Sequence, residues 1–241
     1  MAEKTRAVVL RLIKYGDSQF IVDLLTESRG RLAFLVRLSK TSKGKMKRQY
    51  FQPMMLLDVE FGYRSGLNLQ KLINVGVAYP LTGVAFSPVK TTIALFLAEF
   101  LLYATRSEPV NKPLFGFVFE SVVWLDGSQG DIANFHLLFL LRLCLFLGLE
   151  PNLKGQTSCA YFDLQEGCFV KHVPSHSHFL SVADALQMVT MFRLSYTTMH
   201  LYAMTRQKRN YCVEVILDYY RLHIPDFPEM KSLPVLQALF V

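Results

Sequence analysis

The sequence predicts a multidomain α+β chain, with a five-stranded β-barrel over residues 1–81 followed by an α-helical bundle over residues 82–241. Three observations predict it. Five short apolar runs, separated by Gly-containing turns, fill the first 80 residues. At Tyr79-Pro80 the texture changes to long apolar stretches of helical spacing. Charge splits at the same place: residues 1–80 hold 14 Lys/Arg against 6 Asp/Glu, a net +8, and residues 81–241 hold 12 against 13, a net −1. Five strands with a basic face describe an OB-type barrel.

The elements follow in order. Thr5–Tyr15 alternates in part and turns at Gly16-Asp17 into a second run, Gln19–Thr26. Glu27-Ser28-Arg29-Gly30 is a compact turn, and in Arg31–Leu38 the residues Leu32, Phe34, Val36 and Leu38 alternate cleanly. A polar basic stretch, Ser39–Gln49, precedes Met54–Phe61 and Leu67–Asn74, which flank a turn at Gly62–Gly66. Ser87-Pro88 reads as a helix start for Val89–Arg106, with Ser as N-cap and Pro at the first helical position. Leu114–Asp126 is a second helix, and Asp131 is expected to cap a third, Ile132–Leu147, which stops at Gly148. A small β-hairpin is expected at about 158–172, around Glu166-Gly167. Ser181–Met191 and Thr197–Tyr220 return to helical texture, and Ser232-Leu233-Pro234 opens a short last helix.

Several function classes are excluded. Mean hydropathy is +0.26 with no polar low-complexity tract, which rules out an intrinsically disordered chain. A membrane helix needs about 18–20 apolar residues. Ile93–Ala104 is too short and contains Glu99, and Phe135–Leu149 is cut by His136 and Arg142. No secretory leader is expected from MAEKTRAVVL, and Cys144, Cys159, Cys168 and Cys212 are too scattered for a disulfide framework, so a cytoplasmic setting is expected. The chain has no G-x-S-x-G, P-loop, G-x-G-x-x-G or H-E-x-x-H motif and no paired carboxylates for a two-metal site, so no enzyme activity is expected.

The strongest feature is the acid-free run Arg37–Arg48, which carries Arg37, Lys40, Lys43, Lys45, Lys47 and Arg48, with Arg29 and Arg31 just upstream. Its point charges, with the hydroxyls of Ser39, Thr41 and Ser42, suit the phosphate backbone rather than base edges. Tyr50 and Tyr63 are candidates for stacking on bases, whereas Phe51 and Phe61 fit a barrel core better. A second basic cluster, Arg206, Lys208 and Arg209, could extend the track, bind an acidic peptide, or form a solvated bend, the reading the sequence favours. Glu99 and Arg142, inside apolar helices, are buried-charge candidates, and Arg142 could receive a partner's carboxylate. Cys144 and Cys212 read as core residues, and Cys159 and Cys168 lack the C-x2-C pairing of a structural zinc site, so neither metal nor cofactor is expected.

Several strings resemble the RecO family of bacterial DNA-repair and recombination mediators over nearly the whole chain. They are VVLRLIKYGDSQFIVDLLTESRGRLAFLVRL, the basic loop followed by Gln52-Pro53, Leu147–Leu153, Tyr219–His223, and Lys231-Ser232-Leu233. The resemblance implies an OB fold that binds single- and double-stranded DNA, and a helical C-terminal domain. It further implies annealing of complementary strands, partnership with RecR and the C-terminal tail of single-stranded DNA-binding protein, and indirect assistance to RecA loading. Many members hold a four-cysteine zinc site, from which this sequence departs. An RNA-binding OB module and a protein-interaction scaffold without annealing are the alternatives.

Overall fold

The computed structural model describes residues 2–38, 46–154 and 160–239. The fold has two compact units, one running to Ser128 and taking in Met230–Leu239, the other spanning Gln129–Glu229.

In the first unit, β1 (Ala2–Lys14), β2 (Gln19–Thr26), β3 (Gly30–Arg37), β4 (Leu56–Gly62) and β5 (Leu69–Tyr79) close a barrel in the order β1-β2-β3-β5-β4. All pairs are antiparallel except β3 with β5. The expected OB-type arrangement is therefore present. The alternating residues Val22, Leu24, Phe34, Val36, Val59 and Phe61 fill the interior, where Phe34 and Phe61 meet edge to face at 5.2 Å. A 3-10 turn, Arg48–Phe51, adds Phe51 to that core. At the β2–β3 turn the Thr26 hydroxyl donates to the Gly30 carbonyl and accepts from the Arg29 amide, with Gly30 at φ 66° as a tight reversal requires.

Four helices complete this unit: α1 (Thr82–Phe86), α2 (Pro88–Ala104), α3 (Lys112–Gly127) and α7 (Leu233–Leu239). Ser87 caps α2 as expected, and Asn111 caps α3 by accepting from the Leu114 amide at 2.9 Å. The Lys90 ammonium is buried and donates to the carbonyls of Asp126 and Ser128 at the C-terminal end of α3, where cations are favoured. Asp126 in turn accepts from the Val84 amide at 2.7 Å. A Cβ on Gly83 would stand 2.0 Å from the Asp126 carbonyl oxygen, so this junction admits only glycine. Arg6, paired with Glu27 at 2.9 Å, lies 4.8 Å from the Phe119 ring and ties the barrel to α3.

The second unit consists of α4 (Phe135–Phe146), α5 (Val182–Arg193), α6 (Arg206–His223) and a small sheet, β6 (Tyr161–Asp163), β7 (Cys168–Val170) and β8 (Phe179–Leu180), in the order β7-β6-β8. The expected hairpin thus gains a third strand. Its turn is fastened by Asp163, whose Oδ1 accepts from the amides of Gln165 and Glu166 while Oδ2 meets His176 Nε2 at 3.1 Å. Two helix expectations are corrected. Asp131 accepts from the Ala133 amide and caps a turn, and α4 begins only at Phe135. Residues 197–204 hold a 3-10 turn, and the long helix starts at Arg206 with Thr205 as its cap. The cluster Arg206–Arg209 is consequently the first turn of α6 and not a bend. In the core of this unit the Tyr220 hydroxyl donates to the Leu140 carbonyl at 2.8 Å and accepts from Cys144 Sγ. Burial raises the Cys144 thiol to about 11, so it stays protonated. No described helix is long and apolar enough to cross a membrane.

Candidate nucleic-acid interface

The barrel distributes the candidate residues over two ends of β3. At one end Arg37, the last residue of the strand, is exposed and lies opposite Gln19. Lys47 and the exposed Arg48 lead into the 3-10 turn. Lys40, Lys43 and Lys45 lie outside the described residues. Tyr50 is half-buried against the barrel core, leaving part of its ring accessible, whereas Phe51 and Phe61 are buried within it.

Arg29 is at the other end, in the turn just before β3 and eight residues back from Arg37, which is about 26 Å at the usual rise per residue. Its guanidinium sits 4.3 Å from the centre of the Tyr63 ring and its Nε donates to Glu3 Oε2 at 3.0 Å. Ser28 and the Arg29 guanidinium beside it hold the Glu3 carboxyl below the usual carboxylate range. Arg29 and Tyr63 thus form a pair, with one ring face already covered by the cation.

Arg31 turns inward. Its Nη1 donates to the Leu102 carbonyl at 2.6 Å and its Nη2 lies 3.7 Å from Asp23 Oδ1, while Arg11 holds Asp23 Oδ2 at 2.9 Å. Burial lowers the Arg31 pKa, but the group stays charged at neutral pH. Its head group fastens β3 to α2.

The outer face of the barrel adds residues that sequence reasoning missed. Ile13, Ile21, Leu35 and Lys71 stand in one row across β1, β2, β3 and β5. Beside this row are exposed Leu69 and Ile73 of β5, and Tyr15 in the β1–β2 turn is 63% exposed. An apolar surface flanked by Arg37 and Lys71 offers bases a contact face and phosphates their counter-charge. The available signal was the failure of β2 to alternate: Phe20, Ile21 and Val22 are consecutive, so apolar residues point to both faces.

The second basic cluster is largely engaged within its own unit. Arg209 is buried, donating to Asn134 Oδ1 and the Met204 carbonyl, each at 3.1 Å. Lys208 pairs with Asp184 at 3.1 Å, and Arg142 donates to the Leu194 carbonyl at 3.0 Å. Arg206 is exposed at the start of α6. Glu99 accepts from the amides of Lys231 and Ser232 and from the Ser232 hydroxyl, holding the start of α7. Among the described residues no group of three or more His, Cys, Asp or Glu could hold a metal ion, and Cys159 lies outside them.

Family profiles match the chain in two parts that meet at about residue 80, within the first compact unit. The family profile described as Recombination protein O N terminal matches residues 1–80, and Recombination protein O C terminal matches residues 85–233. The chain is 42% identical over 240 residues to the DNA repair protein RecO of Phocaeicola vulgatus, covering all of both chains. It is also 42% identical over 241 residues to that of Bacteroides fragilis, and 30% identical over 241 residues to that of Flavobacterium johnsoniae, again with full coverage of both chains. A closed five-stranded barrel followed by helices, matched along its length by both family profiles, places this chain in the RecO family of DNA repair proteins.

Proposed function

We propose that the chain is a DNA-binding recombination mediator that holds single- and double-stranded DNA and anneals complementary strands. The observation that carries this reading is the concentration of the chain's excess positive charge, +8, in the 80 residues that form the barrel. Residues 1–81 would act as the DNA-binding domain, with phosphates held by Arg37, Lys40, Lys43, Lys45, Lys47 and Arg48, and by Arg29 at the far end of β3. Tyr50 and the outer apolar row would meet the bases. Arg31, occupied at Leu102 and Asp23, is left to fix the strand that presents them.

Annealing follows from the same chemistry. Two strands repel through their phosphates, and a basic surface that neutralises both while leaving base edges unread lets complementary sequences meet. Family membership supports RecR, the tail of single-stranded DNA-binding protein and, indirectly, RecA as partners. Of the four residues considered for an acidic partner segment, Arg206 and Lys208 remain nearest to solvent, because Arg142 and Arg209 are spent on carbonyl and amide partners. Titration of one oligonucleotide sequence as DNA and as RNA, over a range of salt, tests the binding step. A steep salt dependence with DNA bound at least as tightly as RNA is expected. A clear preference for RNA would favour a 2′-hydroxyl-reading module instead.

A further inference from the structure

Two clefts flank the 3-10 turn that follows the basic loop, both within the first unit. One, of about 540 Å³, is lined by Arg11, Arg48, Tyr103 and Lys231. The other, of about 650 Å³, is lined by Tyr50, Val77 and Phe86. They share Gln52, Pro53 and Leu95, so they meet along one side of α2. Phe86, the last residue of α1, is 88% exposed and Leu95 is 43% exposed, whereas the neighbouring Phe96 and Phe100 of α2 are fully buried.

The two clefts differ in chemistry. In the first, three cations face a single lining carboxylate, Glu99, whose oxygens are taken by the Lys231 and Ser232 amides and the Ser232 hydroxyl. In the second, two aromatic rings stand among mostly apolar side chains, with Gln49, Gln52, Thr82 and Thr91 as neutral polar members and no charged residue in the lining. A charged cleft joined to an aromatic one matches a strand whose phosphates and unstacked bases lie on different sides. A duplex does not present its base faces this way, and an apolar protein segment would leave Arg48 and Lys231 unmatched, Arg11 being already paired with Asp23.

We propose that single-stranded DNA leaving the basic loop continues into this double cleft, its phosphates at Arg11, Arg48 and Lys231 and a base against Phe86 and Tyr50. The inference rests on the DNA-binding reading above and deepens it, extending the site beyond the barrel onto α1, α2 and the segment before α7. Phe86 and Lys231 are exposed, so their replacement leaves the core intact.

The test is binding of a 30-nucleotide single strand and of the matching duplex by the full chain carrying Phe86→Ala or Lys231→Gln. Phe86→Ala is expected to weaken the single strand roughly five- to hundredfold, the range of one lost stacked base, and to leave the duplex unchanged. Lys231→Gln is expected to lower the salt slope for the single strand by roughly 0.7. A bromodeoxyuridine-substituted strand is expected to crosslink at Phe86 or Tyr50. Unchanged single-strand affinity in both variants, with binding still lost on neutralising Lys43, Lys45, Lys47 and Arg48, would overturn the cleft and leave the barrel reading standing. Equal losses for strand and duplex would also overturn it, because base stacking would not be the interaction removed. Wild-type affinity in all of these variants, the basic-loop one included, would instead remove the barrel reading.

Discussion

Replacing Lys43, Lys45, Lys47 and Arg48 together by alanine is expected to weaken single-stranded DNA binding by about two orders of magnitude at 0.1 M salt. Each phosphate contact on a single strand contributes about 0.7 to the slope of log affinity against log salt, so four contacts account for a slope change of up to about 3. Loss of affinity and flattening of the slope must therefore appear together. The effect on stability should be small, because Arg48 is exposed and Lys47 half-buried, and neither takes part in a described ion pair. Fluorescence anisotropy at several salt concentrations measures both quantities. Reduced affinity with an unchanged slope would mean that the substitutions disturb the barrel rather than remove phosphate contacts.

The second large effect concerns stability against pH. His136 lies in α4 and is 2% exposed, and burial, assisted by the charge of Arg209, pushes it down from 6.5 to about 3. A folded-state value below the unfolded one means that the unfolded chain takes up a proton which the folded chain refuses. The contribution of His136 to stability is therefore intact above about pH 6.5 and is lost as pH falls from there toward 3, by up to about 1.4 kcal/mol per pH unit. Between pH 7.5 and pH 5 this amounts to about 2 kcal/mol. Urea unfolding at the two pH values is expected to show that loss in the wild-type chain and to show it reduced by the same amount in His136→Gln. Identical pH dependence in both proteins would assign the acid sensitivity to other groups.

Local signals made much of the barrel legible. Gln19–Thr26 stands in the structure with the bounds its run implied, and Ser87-Pro88 caps the helix it announced. In each case the side chain that sets the element is adjacent to it in sequence. What was not legible depends on partners far along the chain. Strand β5 extends to Tyr79 because it pairs with β4 as far as Leu56, and β8 exists only because Phe162 and Asp163 pair with Leu180 and Phe179. Asp131 looked like a helix cap because its own turn mimics one, while α4 begins later.

The candidate site was legible as charge and not as geometry. A run of Lys and Arg announces itself, but which guanidinium faces solvent is decided by tertiary contacts. Arg29 and Arg31 are two residues apart, yet one lies over Tyr63 and the other reaches the Leu102 carbonyl. Likewise Arg206 and Arg209 share one helical turn, and only the second is buried against Asn134. Phe86 gave no sign in sequence, since an exposed phenylalanine and a buried one are the same letter.

The most direct test of the account is the rate at which two labelled complementary oligonucleotides anneal, with and without the protein, at low and moderate salt. The account predicts acceleration that fades as salt rises and that is lost on neutralising the basic loop. Tight DNA binding with no acceleration at either salt would contradict it, leaving a barrel that holds DNA without bringing strands together.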